Sequence, residues 1–250
     1  MPTEPQTVSV VVSSYNQLGP LKLALESFRF QTVLPLEVVV ADDGSTDGTL
    51  EWLEAQKGSF SFRLIPVTRA HDGYRLASLQ NLGARQATGT RLQFTNADVV
   101  HCPASVSSHA KLPGDMVGAG IIKSISAKGT AMVTLGSIRD FGELLKLAGQ
   151  FPERRTNAGC VVQDPNLDPL PVWGGNFSVP KEAFDKVGGF DEAYVGWGGE
   201  DGDLVKRCQK QAGCRIVWVT DSVVYHLSHP VQDYHREQLG TIRYMKKIGK

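Results

Sequence analysis

The sequence has no apolar run that approaches the roughly 20 residues needed to cross a bilayer, and its first five residues lack the character of a signal peptide. Its cysteines do not form a paired metal-binding spacing. We therefore expect reduced thiols in a cytoplasmic protein, although their even number leaves a disulfide open. The four cysteines are Cys102, Cys160, Cys208 and Cys214.

An excess of charge of either sign is also absent, because 26 Lys and Arg balance 26 Asp and Glu over the 250 residues. The basic residues are scattered rather than clustered, so the chain has no electrostatic footprint for nucleic acid. Internal repeats and low-complexity tracts are missing too. What is present, with 41% hydrophobic residues, is a globular composition with enough core for one large or two small domains.

Continuous β-branched runs at residues 7–14 and 36–41 are typical of strands buried on both faces of a parallel sheet. Helical spacing follows each run, at residues 21–31 and 50–56. This alternation predicts a doubly wound α/β fold: a mostly parallel sheet with helices on both faces and ligands at the carboxyl ends of the strands. We predict further strands at 62–66, 90–95, 116–125 (with a candidate partner at 132–136) and 215–219, and further helices at 76–86, 140–150, 180–187 and 201–212.

Polar residues follow the predicted strands. Ser14 and Tyr15 come after the first strand, Asp42 after the second, and Asn96 and Asp98 after a later one. Each can be a turn or capping residue, because Ser, Asp and Asn are common there. Each can also face a ligand at the sheet edge, and Asp98 offers the hard oxygen that a divalent ion prefers.

Glycine pairs are dense between residues 174 and 199, beside Trp173 and Trp197 and just before Glu200 and Asp201. Such pairs let the backbone approach a bulky ligand closely, and a tryptophan offers an apolar face to a sugar. The alternative for the two carboxylates is capping, since the first turn of a helix favours acidic residues. Residues 151–171 lack a clear period and predict a long loop.

Two stretches carry a resemblance to known enzymes. Trp-Gly-Gly-Glu-Asp at residues 197–201 resembles the acceptor and catalytic-base motif of beta-1,4-galactosyltransferases and related bacterial polysaccharide-chain transferases. The N-terminal half resembles the family-2 inverting glycosyltransferases of the GT-A fold. The resemblance implies a single GT-A (Rossmann-like) domain, with a nucleotide-sugar-binding half at 1–102 and an acceptor-binding and catalytic half at 103–250.

The same resemblance implies a UDP-sugar donor. Ser14 and Tyr15 would line the base, and Asp42 would accept from the uracil ring nitrogen. Arg75 would face the donor phosphates, and Asn96 would hydrogen-bond a ribose hydroxyl. The family usually has an arginine just before the Asn-Leu-Gly at residues 81–83, where this chain has Gln80.

A divalent ion, Mn²⁺ or Mg²⁺, is also implied, with Asp98 and His226 as its ligands. Asn96 stands where the family has the first acid of its Asp-x-Asp signature, which removes one negative charge. His229 is a further candidate ligand, with contact to a phosphate or the acceptor as its alternative.

For the reaction, the resemblance implies transfer of a hexose or N-acetylhexosamine to a saccharide hydroxyl, with inversion. Asp201 would be the general base and Glu200 would hold a neighbouring hydroxyl. We expect the helix N-terminus to lower the basicity of Asp201. The acceptor-binding residues would be Trp173, Trp197, Gly198 and Gly199.

Two other hypotheses remain at this point. Asn96 and Gln80 favour a nucleotide-sugar-binding module without turnover. A nucleotidyltransferase is disfavoured, because residues 13–19 lack a glycine-rich, basic phosphate loop. The spacing of residues 232–250 suits an amphipathic helix with a basic end, which indicates core packing or contact with an anionic membrane. The oligomeric state is not predicted.

Overall fold

The computed structural model describes residues 6–151, 172, 174–196 and 198–229. Its first half alternates strands and helices as predicted. The elements of this half are β1 (Val8–Ser14), α1 (Leu18–Ser27), a single 3-10 turn (Phe28–Phe30), β2 (Glu37–Asp42), α2 (Thr49–Gln56), β3 (Arg63–Thr68), α3 (Leu76–Ala84) and β4 (Arg91–Asn96).

The second half adds four strands and six helices within the described residues. They are β5 (Val99–His101), α4 (Ser105–Ala110), β6 (Met116–Ile125), α5 (Ala127–Thr130), α6 (Leu135–Arg139), α7 (Phe141–Gln150), β7 (Phe177–Pro180), α8 (Lys181–Lys186), α9 (Glu200–Ala212) and β8 (Arg215–Leu227). The described helices include none that is long and apolar enough to cross a membrane.

The eight strands form one sheet in the order β3-β2-β1-β4-β7-β6-β8-β5. The first four strands in that order are all parallel, which confirms the doubly wound prediction for the N-terminal half. Strand β7 is antiparallel to both β4 and β6, and β5 is antiparallel to β8. Because β7 lies between β4 and β6, both halves of the chain share one sheet.

The core lies on both faces of this sheet. Val10 and Val12 of β1 face the side covered by α1 and α4, whereas Val11 faces the side covered by α3 and α9. This alternation follows from the two-residue period of a strand, and because both faces are covered, β1 has no exposed face. Helix α3 packs closely, since a Cβ at Gly83 would lie 2.6 Å from the Val11 side chain.

Several predictions need correction. Residues 132–136 do not form a strand: Thr134 caps α6 by accepting from the Ser137 N–H, and its own N–H bonds the Ser137 hydroxyl. The final strand runs to Leu227 rather than to residue 219, so His226 lies within it. The sequence patterns did not predict β5, β7 or α4, which are short. The tail at 232–250 and most of the 151–171 loop lie outside the described residues.

Candidate active site

A carboxylate and two imidazoles meet at the carboxyl end of β4. Strand β5 follows Asp98 and pairs with β8, with Val99 opposite His226, and the Leu227 N–H donates to the Asp98 carbonyl at 2.8 Å. This pairing brings the Asp98 Oδ2 atom to 3.4 Å from His226 Nε2 and 3.0 Å from His229 Nε2. Residues about 130 positions apart in the sequence therefore form one cluster.

The electrostatics of Asp98 favour its ionised form. Burial by itself raises the pKa of this carboxyl, but the hydrogen bonds and positive charge of His226 and His229 hold the pKa well below its usual range. The other oxygen, Asp98 Oδ1, is buried and has no hydrogen-bond partner among the described residues. Asp98 thus has one carboxylate oxygen beside the two imidazoles and a second oxygen that is available to a ligand.

This cluster fits a divalent metal ion. One carboxylate oxygen and two imidazole nitrogens lie within 4.8 Å of one another, as ligands of one ion do. The nitrogen ligands suit Mn²⁺ better than Mg²⁺, which prefers an all-oxygen octahedral shell. His229 therefore belongs with Asp98 and His226 in the candidate site.

The neighbouring strand ends supply more polar atoms without a partner. Ser13 pairs with Asn96 across β1 and β4, and Ser14 pairs with Asp42 across β1 and β2. The hydroxyls of Ser13 and Ser14 and the Asn96 Oδ1 atom are buried without a hydrogen bond within the described part of the chain. Since such an atom costs about 1–3 kcal/mol, their concentration at one sheet edge indicates a place for a polar ligand. Ser13 was not predicted from the sequence.

Asp42 has a different environment from the one that the resemblance implies. Its Oδ2 atom accepts from the backbone N–H groups of Gly44 and Ser45 at 3.0 and 2.9 Å, and its Oδ1 atom accepts from the Ser45 hydroxyl at 2.5 Å. These contacts hold the loop before α2. Asp42 therefore acts here as a turn residue, which was the alternative to facing a ligand. Recognition of uracil by Asp42 stays a prediction.

Tyr15 directly follows β1. Its ring stacks on His71, with ring centroids 4.1 Å apart and planes within 7°. His71 is held by Asp43, whose other oxygen accepts from Arg69 Nε at 2.5 Å. Asp43 thus holds the side chains of both His71 and Arg69. The stack orients the Tyr15 ring, which suits a platform for a flat base.

Among the described residues, no contact joins Arg75 to the candidate metal site. Its Nε atom donates to the Asp72 carbonyl at 3.0 Å and lies 3.1 Å from the Asp72 carboxylate. The side chain is 39% exposed, so this ion pair is weak and can exchange for another anion. A role for Arg75 at donor phosphates stays a prediction.

Two adjacent acidic residues begin α9. Gly199 precedes the helix with φ at 99°, and Glu200 and Asp201 are both buried in its first turn. Gly174 lies against the Asp201 carboxylate, since a Cβ at Gly174 would lie 2.7 Å from Asp201 Oδ2. Glycine at position 174 is therefore required by the closeness of the carboxylate.

The basicity of Asp201 differs from the prediction. Burial raises its pKa well above the usual value, and the charge of Glu200 raises it further, while the Gly174 N–H lowers it. Burial also raises the pKa of Glu200. Desolvation outweighs the helix N-terminus, so Asp201 is a stronger base than the sequence suggested.

The two acidic regions adjoin one another through residues 174 and 175. Gly174 contacts Asp201, and a Cβ at Gly175 would lie 3.8 Å from Asn96 Nδ2 and 3.6 Å from Val99. Asn96 and Val99 flank Asp98 in the chain. The structure therefore brings Asp98, Asn96 and Asp201 to the same edge of the sheet.

The predicted acceptor residues are only partly described. Trp173 and Trp197 lie outside the described residues. Gly198 has φ at 97° and a Cβ there would meet open space, so backbone conformation rather than crowding favours glycine. An acceptor contact by Gly198 or Gly199 stays a prediction.

Solved structures share this architecture. GalNAc-T7 with UDP, GalNAc and Mn²⁺ superposes with a TM-score of 0.68 at 16% identity, covering 97% of this chain and 48% of that one. A mannosyltransferase from Pyrobaculum calidifontis with GDP-Man and Mn²⁺ gives 0.63 at 22% identity, covering 100% and 66%. Identities this low establish the fold alone, and that fold is the GT-A fold of glycosyltransferases.

Sequence comparison gives two family matches, one in each half of the chain. Residues 9–132 match the model described as Glycosyl transferase family 2, and residues 158–230 match the model described as the N-terminal domain of galactosyltransferase. The N-terminal half of the chain is therefore similar to the family-2 glycosyltransferases, and its C-terminal half is similar to the galactosyltransferases.

Named relatives are longer than this chain. Validoxylamine A glucosyltransferase of Streptomyces hygroscopicus subsp. limoneus is 32% identical over 224 residues, which are 79% of this chain and 46% of the relative. Chondroitin synthase of Escherichia coli is 28% identical over 246 residues, which are 89% of this chain and 35% of the relative. The chain thus spans less than half the length of these two relatives.

Proposed function

We propose that this chain transfers a hexose or N-acetylhexosamine from a UDP-sugar to a saccharide hydroxyl, with a divalent ion and with inversion at the anomeric carbon. The observation that carries this proposal is the adjacency of two unlike acidic regions. Asp98, with two imidazoles, is kept ionised, whereas Asp201 is buried and basic, and residues 174 and 175 contact the surroundings of both. One region suits an ion and a diphosphate, and the other suits a proton transfer.

On the donor side, Asp98, His226 and His229 would hold the ion, Mn²⁺ in preference to Mg²⁺. A bound ion offsets the negative charge that develops on the departing diphosphate. Tyr15 offers its stacked ring to the base, and the unpartnered oxygen atoms of Ser14 and Asn96 are available to the nucleoside. Arg75 reaches the phosphates by releasing Asp72.

On the acceptor side, Asp201 removes the proton of the attacking hydroxyl as the new bond forms. Its raised pKa makes it a better proton acceptor than an exposed aspartate. Glu200, whose Oε2 atom has no described hydrogen-bond partner, holds a neighbouring hydroxyl. Attack from the side opposite UDP inverts the anomeric configuration.

The comparisons support this choice of substrates without fixing the sugar. Two solved neighbours are described with UDP or UDP-GlcNAc, and one with GDP-Man. The named relatives include a glucosyltransferase and a chondroitin synthase. We therefore propose glucose, galactose or an N-acetylhexosamine as the transferred group, and a glycan as the acceptor.

A nucleotide-sugar-binding module without turnover is the second candidate. It is favoured by Asn96 in place of an acid and by Gln80, whose buried amide has no described hydrogen-bond partner. In that case the site binds UDP with Mn²⁺ but does not release UDP from any UDP-sugar.

The test is UDP release from a panel of UDP-sugars, with Mn²⁺ and a mixture of saccharide acceptors. Asp201→Asn should abolish release while leaving the affinity for UDP nearly unchanged. Asp185→Asn is the matched control, because it removes an exposed carboxylate that pairs with Lys181 on the surface of α8. Wild-type turnover by Asp201→Asn would overturn the assignment of the base, and nuclear magnetic resonance of the product would show whether the anomeric configuration is inverted.

A further inference from the structure

A chain of buried polar side chains lies beneath the candidate site, between the sheet and α4, and the proposed reaction uses none of them. Its members come from β4, β5, α4, β8 and the residue before β7, and all are almost completely buried. They are Thr95, His101, Ser105, Ser222, Asn176 and His109.

Asn176 is the best-held member. Its Nδ2 atom donates to the Ile121 and Ser222 carbonyls at 3.1 and 2.9 Å. Its Oδ1 atom must therefore accept, from the Ser222 hydroxyl at 3.0 Å and from His109 Nε2 at 3.2 Å. All four hydrogen-bonding positions of the amide are used. Gly120 makes room for it, since a Cβ there would lie 2.2 Å from Asn176 Nδ2.

These partners determine the tautomer of His109. Because Asn176 Oδ1 accepts, the proton lies on His109 Nε2, and Nδ1 accepts from the Ser178 hydroxyl at 2.8 Å. Ser178 in turn accepts from Arg91 Nη1 at 3.2 Å. Burial, aided by the charge of Arg91, lowers the pKa of His109 to about 4, so this neutral tautomer persists at neutral pH.

The network reaches the reaction site through the backbone. Asn176 directly follows Gly174 and Gly175, and its carbonyl accepts from the Gly120 N–H at 2.8 Å. Gly174 lies against the Asp201 carboxylate, and Gly175, with φ at 112°, lies against Asn96. Two consecutive glycines have much conformational freedom, so their geometry depends on the residue that anchors them.

We propose that His109 and Asn176 are positioning residues for the transfer reaction: they anchor residues 174 and 175 so that the Gly174 backbone stays against the Asp201 carboxylate. The proposal rests on the proposed role of Asp201 as general base. The alternative is that the network stabilises the fold and has no specific effect on Asp201.

The test compares His109→Phe, which removes both ring nitrogens at similar size, with His109→Gln, which keeps a donor for Asn176. We expect His109→Phe to lower kcat for UDP release by about tenfold or more, the effect of one lost buried partner, with the Kd of UDP and Mn²⁺ unchanged. His109→Gln should restore most of kcat. Phe62→Leu, directly before the outermost strand β3, is a stability control that should lower Tm without lowering kcat.

A double-mutant cycle separates this inference from the proposed function. In an Asp201→Asn background, His109→Phe should have no further effect on the residual rate of UDP release. If Asp201→Asn alone loses nothing, the proposed base is wrong. If Asp201→Asn loses activity but His109→Phe lowers the rate independently, or lowers it only as much as Phe62→Leu at equal Tm, the positioning role is wrong.

Hydrogen exchange of the Gly174 amide gives a readout that does not need turnover. His109→Phe should speed this exchange by about tenfold, because the anchor of the segment is lost, while Phe62→Leu leaves it unchanged. If His109→Phe does not fold, Ser222→Ala removes one donor to Asn176 and should produce a smaller acceleration. Unchanged protection of Gly174 in the folded variants would overturn the proposal.

Discussion

The substitution Gly174→Ala tests the placement of the general base directly. A Cβ at this position would lie 2.7 Å from Asp201 Oδ2, whereas a carbon and an oxygen in contact are about 3.3 Å apart. The carboxylate must therefore move by roughly 0.6 Å or more. Gly174 does not have a positive φ, so alanine meets no backbone strain and the effect falls on the carboxylate.

Two magnitudes follow for Gly174→Ala. A reacting group misplaced by about 1 Å can lose about 100-fold in rate, so we expect kcat to fall by roughly ten- to a hundredfold. Crowding of a packed site costs about 1–3 kcal/mol, which urea denaturation will measure as a lower free energy of unfolding. The Kd of UDP with Mn²⁺ should change little, because the donor residues are not crowded.

The control for this experiment is Gly149→Ala in α7, where a Cβ meets open space. It should stabilise the helix by about 0.5–1 kcal/mol and leave kcat unchanged. The reasoning is refuted if Gly174→Ala folds normally and keeps wild-type kcat. It is also refuted if Gly174→Ala lowers the residual rate of Asp201→Asn further, since the clash would then act on another group.

Three other predictions concern the metal site, the strand edge and pH. His226→Ala and His229→Ala should each weaken Mn²⁺-dependent binding of UDP about tenfold or more in calorimetry, with no effect in the presence of a chelator; equal affinity would remove that histidine from the site. Ser13→Ala should raise the free energy of unfolding by about 1 kcal/mol, because it deletes an unpartnered buried hydroxyl, and it should also weaken UDP binding. A loss of stability would show that Ser13 has a partner in the protein. Because burial and Glu200 raise the pKa of Asp201, kcat/KM should rise with pH through that pKa, and Glu200→Gln should move the rise to lower pH. By linkage, the protonated Asp201 stabilises the fold at low pH and this contribution is lost as pH rises through the raised pKa, so Asp201→Asn should reduce the fall in Tm over that range; an identical fall would contradict the raised pKa.

The N-terminal half was largely predictable because its signals are local. Val8 to Val12 are β-branched or small and fully buried, and the helices that follow carry their own spacing. Short elements gave no such signal: β5 has three residues and depends on pairing with β8. Residues 132–136 have strand-like composition, but capping by Thr134 makes a helix there.

The candidate site was predictable where a motif carries it. Asp98, His226 and Asp201 came from resemblance to known transferases, and their convergence depends on strand pairing that no spacing shows. The raised pKa of Asp201 reverses the expectation from the helix N-terminus, because burial is a tertiary property. The hydrogen bond between His109 and Asn176 could not be predicted either, because it depends on tertiary structure and joins residues 67 positions apart.

The most direct test of the central claim is a crystal structure with UDP and Mn²⁺. We predict anomalous density for the ion between Asp98, His226 and His229, with the diphosphate bound to it and Asp201 facing the space beyond the β-phosphate. An ion bound elsewhere, or a diphosphate on a side of the sheet away from Asp201, would contradict a single transfer site.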